Sequence, residues 1–183
     1  NDIFKATVRR QDKPLDICLL VDESGSMGYD RMEQARQCAI AVKEALSDNP
    51  MLNLWVFGHS ADYNKSGMTE MREYYSPTMK DRPFSMGDMK ARCENRDGAA
   101  IVASANRVKE QSDQPHANKL MIVFSDGSPS ADRYRGETAI SHTRKCVKYT
   151  EARGWNIIQI GFSGAHEYYM KRMFTNWIYI DNT

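Results

Sequence analysis

Asp22, Ser24 and Ser26 place three short oxygen-bearing side chains at spacings of two within Asp22-Glu23-Ser24-Gly25-Ser26-Met27-Gly28. On a tight, glycine-containing turn such groups converge on one small hard cation instead of spreading along a strand. Two other segments carry matching groups, Asp97 in Arg96-Asp97-Gly98 and Asp126 in Ser125-Asp126-Gly127. Five oxygen donors suit Mg²⁺ or Mn²⁺, and not the softer metals that prefer Cys or His. Each segment also has a plainer reading. Asp97 could cap a helix, Asp126-Gly127 could be an ordinary turn, and Ser24-Gly25-Ser26 a flexible loop. The metal site is favoured because all three segments fall at the same edge of one predicted sheet.

That sheet follows from the spacing of apolar residues. Ile17 to Val21, following Asp16, is an apolar run that ends abruptly in the oxygen cluster, as a buried parallel strand feeding a loop would. Met32, Ala35, Ala39, Val42 and Leu46 recur at three-four spacing, which predicts a helix over 31–48 with Asp30 as its N-cap. Met51 to Phe57 is a second strand, so the first unit is strand, helix, strand, with a right-handed crossover and parallel strands. Residues 58–98 are less regular. An edge strand at Met71–Tyr75 and a short helix from Asp88 to Asn95 are expected there. The methionines and aromatics of this stretch, Met68 to Met89 with Tyr63, Tyr74, Tyr75 and Phe84, plug space against the core on the favoured reading. Ile101, Ala105 and Val108 mark a helix to about Gln111, Leu120 to Phe124 a strand, and Glu137 to Arg153 a helix stopped by Gly154. A strand at Asn156–Gly161, a short helix at His166–Phe174 and a strand at Trp177–Ile180 complete the chain. Such alternation predicts an α/β fold: a doubly wound, mostly parallel, Rossmann-like sheet with helices on both faces and one antiparallel edge strand. Residues 1–15 read as a tail or edge strand and 16–183 as one domain. Ligands of such sheets bind beyond the strand C-termini, where adjacent connections diverge.

Composition removes several partners. The 25 basic and 24 acidic residues nearly cancel, so neither nucleic acid nor an anionic membrane has an electrostatic footprint to meet. No apolar stretch reaches the roughly 18 residues of a membrane span, and the N-terminus lacks the form of a signal peptide. Residue 1 is Asn and not Met, as in a chain cut from a longer one. Cys18, Cys38, Cys93 and Cys146 lie far apart with no C-x-x-C pair. They read as buried free thiols in a reducing, cytoplasmic setting.

The stretch Asp22-Glu23-Ser24-Gly25-Ser26 resembles the D-x-S-x-S signature of the von Willebrand factor A (vWA) domain. The metal-ion-dependent adhesion site of that family is completed by a Thr or Asp from a second loop and an Asp from a third, which Asp97 and Asp126 match. Glu94-Asn95-Arg96-Asp97-Gly98, Ser125-Asp126-Gly127-Ser128-Pro129 and Ile158-Gln159-Ile160-Gly161 followed by Tyr168-Tyr169 resemble the A domain at the C-terminal end of the cobaltochelatase T subunit. The resemblance implies binding and not catalysis. A metal at Asp22, Ser24, Ser26, Asp97 and Asp126 would accept an acidic residue of a protein client, beside an AAA+ ATPase of the chelatase or MoxR type. Asp97 in place of Thr adds a third carboxylate, giving the site a net charge near minus one with a divalent ion. Tighter metal binding and weaker attraction of an acidic ligand are expected.

Two other functions compete. A Mg²⁺-dependent phosphoryl-transfer enzyme with an aspartyl nucleophile would want a carboxylate two residues after Asp22, where Ser24 stands. Neither a G-x-x-x-x-G-K-[ST] loop nor a G-x-S-x-G elbow is present. His116, His142 and His166 are scattered, while His59, just past the second strand, is expected as a hydrogen-bonding residue at the crevice rim. The other alternative is a purely structural assembly protein.

Overall fold

The computed structural model describes residues 13–46, 48–61, 68–79, 85–162 and 165–180. The apolar run forms β1 (Leu15–Asp22), buried at every residue but the first. A strand buried on both faces needs neighbours at both edges and layers above and below. β2 (Leu52–Ala61) and β4 (Asn118–Phe124) flank it in parallel. β3 (Thr69–Tyr75) adds to β2 in the antiparallel sense, while β5 (Trp155–Phe162) and β6 (Asn176–Ile180) extend the sheet beyond β4 in parallel. The order is β3-β2-β1-β4-β5-β6. The fold is therefore the expected doubly wound α/β sheet, with β3 as its antiparallel edge strand. β1 is central, and the chain leaves it towards β2 before returning to β4 on the opposite side. The crevice for ligands falls beyond its C-terminal end.

Period-two alternation sorts the side chains into two layers. Leu19, Val21, Leu54 and Val56 face α1 (Gly28–Leu46), meeting Met32, Ala35 and Ala39. Cys18, Leu20, Phe57, Met121 and Val123 face α2 (Asp97–Gln111) and α3 (Gly136–Glu151), through Ile101, Val108, Ile140 and Val147. Met170 and Met173 of α4 (Glu167–Met173) are buried as well. Each buried Leu, Phe or Met contributes about 1.5–3 kcal/mol, so these layers can outweigh the cost of polar groups at the strand ends.

Several local expectations change. α1 starts at Gly28, with Asp30 inside its first turn instead of at the cap. The cause is a 3₁₀ turn at Gly25–Met27 that drives Met27 fully into the core, so the chain is already helical before Asp30. The helix expected from Asp88 to Asn95 is absent. A single 3₁₀ turn at Met86–Asp88 precedes an irregular segment whose backbone is taken by distant partners. Arg92 N–H donates to the Glu23 carbonyl at 2.6 Å, Gly25 N–H to the Cys93 carbonyl at 2.8 Å, and Glu94 exchanges two bonds with Ala61. β2 continues past Phe57 to Ala61, because β1 pairs with it as far as His59 and β3 to its end. Met86, Met89 and Tyr74 do plug the α1 layer, whereas Met68 is exposed. Tyr63, Phe84 and residues 1–12 lie outside the described residues. Cys18 is buried, Cys38 and Cys146 are half-buried, and Cys93 is exposed, so the expectation of buried thiols fails at Cys93. Cys93 lies on the irregular segment, where its backbone and not its side chain is held.

Candidate metal centre

Asp22 ends β1 and pairs with His59 across the β1–β2 ladder, while Ser125 follows the last residue of β4. Counting back by twos places Asp22, His59 and Ser125 on the face of Leu20, Phe57 and Val123. A polar row thus tops the apolar α2–α3 layer, and Asp97, the first residue of α2, packs onto it. Asn95 Nδ2 donates to Asp22 Oδ2 at 2.9 Å and to Asp97 Oδ1 at 3.1 Å. Ser125 Oγ lies 3.2 Å from Asp22 Oδ2 and 3.3 Å from Asp97 Oδ2, in line to donate to either. The two carboxylates are therefore joined twice by neutral side chains. The other oxygen of Asp22 accepts the Ser24 N–H at 2.8 Å, which turns the loop and leaves Ser24 Oγ 3.0 Å from Ser26 Oγ. Asp126 is held by the Ser128 N–H at 3.1 Å, with Arg31 3.9 Å from its second oxygen.

Two residues tie the three loops together. Asn95 uses its side-chain oxygen to accept the Ser130 N–H at 2.7 Å, so one amide reaches the first, second and third loops. Glu23, fully buried on the opposite face from Asp22, accepts from Tyr74 and Arg92. Arg92 also pairs with Glu70 at 2.9 Å, which pins the segment before Asn95 to the sheet edge. The loops border an open cavity of about 290 Å³, lined by Ser24, Ser26, Asn95, Asp126, Ser128 and Ser130 among others. The structure brings all five predicted ligands together in two tiers. Ser24, Ser26 and Asp126 line the cavity, and Asp22 and Asp97 lie beneath it at 0% exposure.

The family model described as "von Willebrand factor type A domain" matches residues 16–177. The chain belongs to this family. Over 154 residues this vWA domain is 27% identical to the uncharacterized protein YojO of Bacillus subtilis, an alignment covering 80% of the chain and 23% of YojO. It thus spans about a quarter of that relative's length. Among solved structures, the pilus adhesin SpaC of Lactobacillus rhamnosus GG superposes with a TM-score of 0.68 at 14% identity, over 95% of this chain and 28% of SpaC. Proximal thread matrix protein 1 of the mussel byssus, with a zinc-occupied MIDAS motif, gives a TM-score of 0.64 at 19% identity, over 93% and 44% of the two chains. At these identities the similarity is one of fold.

The donor set of the vWA domain fits a divalent cation. Asp22 and Asp97 are buried side by side, and the side chains donating to them are neutral. Burial, with Asp126 nearby, pushes the Asp22 carboxyl from its ordinary 3.8 up to about 7. Burial first, then Asp22 and Asp126, holds the Asp97 carboxyl well above the usual carboxylate range. Without a metal, protons are the remaining neutralising charge, and a bound cation displaces them. A carboxyl raised on folding favours the folded state below its unfolded value, and that contribution is lost as pH rises through the folded value. Between about pH 4 and about pH 7 the two raised carboxyls together therefore draw the stability of the metal-free domain down as pH rises, opposed over part of that window by buried His59, whose lowered imidazole gives the opposite slope. Mg²⁺ is expected to shift the melting temperature more at the upper end of that window. Thermal melts in chelator and in Mg²⁺ across the window check both slopes, and parallel slopes would refute the linkage.

Three residues here escaped the sequence reading in whole or part. Asn95 and Ser125 stand beside the expected ligands, two residues before Asp97 and one before Asp126, within stretches noted only for their resemblance to the cobaltochelatase T subunit and given no role of their own. His59 was expected at the rim, but it is fully buried within β2, with Nε2 3.7 Å from Asp97 Oδ1. Burial, followed by the nearby Arg92, pushes its imidazole down to about 3, so it is a neutral ring at ordinary pH.

Proposed function

We propose that this vWA domain is a non-catalytic recognition module that holds Mg²⁺ or Mn²⁺ and offers it to an acidic residue of a protein client. The observation that carries the reading is the two-tier site, with hydroxyls and one carboxylate open to a cavity and two coupled carboxylates buried below. Ser24, Ser26 and Asp126 would hold the cation from the cavity side, with Asp22 and Asp97 supplying charge from beneath. When bound, the cation supplies a Lewis-acidic position for a client carboxylate. The rest of the chain orients the donors: Asn95 and Ser125 keep the aspartates together, and the Glu23–Arg92–Tyr74 clamp keeps the second loop in place.

The phosphoryl-transfer alternative is less well supported, because an attacking Asp22 would need a path to substrate. Its carboxyl is fully buried, with one oxygen turned into the Ser24 N–H. As partner we propose an AAA+ ATPase of the chelatase or MoxR type, in a reducing cytoplasm that keeps the four thiols free. The similarity of Glu94–Gly98 and Ser125–Pro129 to the cobaltochelatase T subunit supports that pairing by analogy. The direct test mixes the domain with an AAA+ ATPase encoded beside its gene. Binding in Mg²⁺ that chelator or Ser26→Ala reduces at least about tenfold is expected, since even the loss of a group that only orients a ligand commonly costs about 10–100-fold in metal affinity. Binding that survives both treatments would make the domain a structural scaffold whose metal is not the bridge.

A further inference from the structure

We propose that His59 contributes an imidazole nitrogen to the cation held by Asp22 and Asp97, making the inner tier a mixed nitrogen–oxygen site that prefers Zn²⁺ or Co²⁺ to Mg²⁺. This rests on the reading that the aspartates hold a cation, and it concerns which cation they hold.

His59 is 0% exposed, and among the described residues neither ring nitrogen has a hydrogen-bond partner. A buried polar atom left unsatisfied costs about 1–3 kcal/mol, and native interiors retain few of them. A neutral imidazole carries one donor and one acceptor, so the ring leaves two such atoms. Binding an ion is one recognised resolution. The ring is also aimed at the right groups. One ligand atom each from Asp22, His59 and Asp97 lies within 4.8 Å of the others. The 3.7 Å from Nε2 to Asp97 Oδ1 exceeds a hydrogen bond, so His59 is not simply the donor that orients Asp97.

Neighbouring elements explain why the ring stays there. β2 is paired along this stretch with β1 and β3, so the Cα of His59 is set from both sides. Phe57 lies two residues back on the same face, in the apolar layer. Arg92 is the nearby cation, and its charge is met by Glu23 and Glu70. An aliphatic side chain would serve packing here without two unsatisfied nitrogens. Imidazole is a good ligand for zinc and later transition metals, whereas Mg²⁺ selects oxygen. His59 therefore changes the class of metal as well as the affinity.

The test is calorimetric titration of the chain with Mg²⁺ and with Zn²⁺, together with pulsed EPR of the Mn²⁺-loaded protein. Wild type is expected to show nitrogen hyperfine coupling and a Zn²⁺ affinity roughly 100-fold above that for Mg²⁺. In His59→Gln the coupling disappears, Zn²⁺ binding falls at least about tenfold, and Mg²⁺ binding changes by less than about threefold. His166→Gln controls for the exposed imidazole that also lines the cavity, and should leave all three readings unchanged. Metal bound without nitrogen coupling in wild type overturns the role of His59 while leaving the oxygen site standing, and needs no variant to fold. Equal loss of both metals in a folded His59→Gln also overturns it, whereas wild type binding neither metal removes the metal reading itself.

Discussion

Asp97→Asn is expected to melt higher than wild type in chelator above neutral pH, and to bind Mg²⁺ about 100-fold more weakly. The side chain keeps its shape, and the surrounding donors can accept the change. Its oxygen would still take the Asn95 amide, and its new amide would face Ser125 Oγ, which can accept while donating to Asp22. The hydrogen bonds survive and the buried like-charge contact goes, relieving the repulsion that holds both carboxyls up. Metal binding moves the other way. At an effective dielectric near 20, a unit charge ~4 Å from another is worth about 4 kcal/mol, part of it offset by desolvation. The net loss should therefore reach about 100-fold. Asp97→Thr removes the same charge, and its weaker metal should attract an acidic peptide more strongly. Melts in chelator and Mg²⁺ titrations of the three proteins measure this. A variant that is less stable in chelator and equally good at binding metal would show that the charge of Asp97 has no such role.

Gly58→Ala should be the most damaging single methyl in the strands around the site. A Cβ at Gly58 would stand 2.6 Å from the Glu23 carboxyl and 2.7 Å from the Tyr74 ring. Neither neighbour can give way cheaply, because Glu23 is fully buried and its two oxygens are taken by Tyr74 and Arg92. Overpacking commonly costs 1–3 kcal/mol, and a weakened buried ion pair adds to it. A loss of about 3 kcal/mol follows, or about 6–12 °C in melting temperature for a domain of this size. Freed from Glu23, the segment before Asn95 loosens, so metal affinity should fall with stability. Gly87→Ala is the control, since a Cβ there meets nothing within 4 Å, and it should stay within about 0.5 kcal/mol of wild type. Equal melting of the two variants would mean that the Glu23 clamp is not a rigid part of the fold.

The elements legible in the chain were those whose signal is local. Apolar runs marked β1, β2 and β4 because parallel strands are buried on both faces, and three-four spacing marked α1 to α3 because one stripe of each meets the sheet. Positive φ at Gly154 agrees with its place as the stop after α3. The misreadings lie where distant backbone groups take over. Residues 89–95 carry a plausible short helix, but Glu23, Gly25 and Ala61 bind their backbone instead. His59 reads as a residue beyond a strand because β2 looks complete at Phe57. It is the pairing of β2 with β1 and β3 that extends the strand and carries the ring inside.

The amino-acid sequence by itself determined the inventory of the site: three oxygens at spacings of two, two further aspartates at element ends, and the excess charge of Asp97. It also determined the sheet class, since both follow from residue type and near-neighbour spacing. Tertiary structure alone settled which groups meet water and which do not. Register across β1, β2 and β4 aligned Asp22, His59 and Ser125 in one row, and the start of α2 buried Asp97 against it. Asn95 then became the link among three loops. Those relations depend on residues 28 to 103 positions apart, and no local pattern encodes a contact that exists only once the sheet has formed.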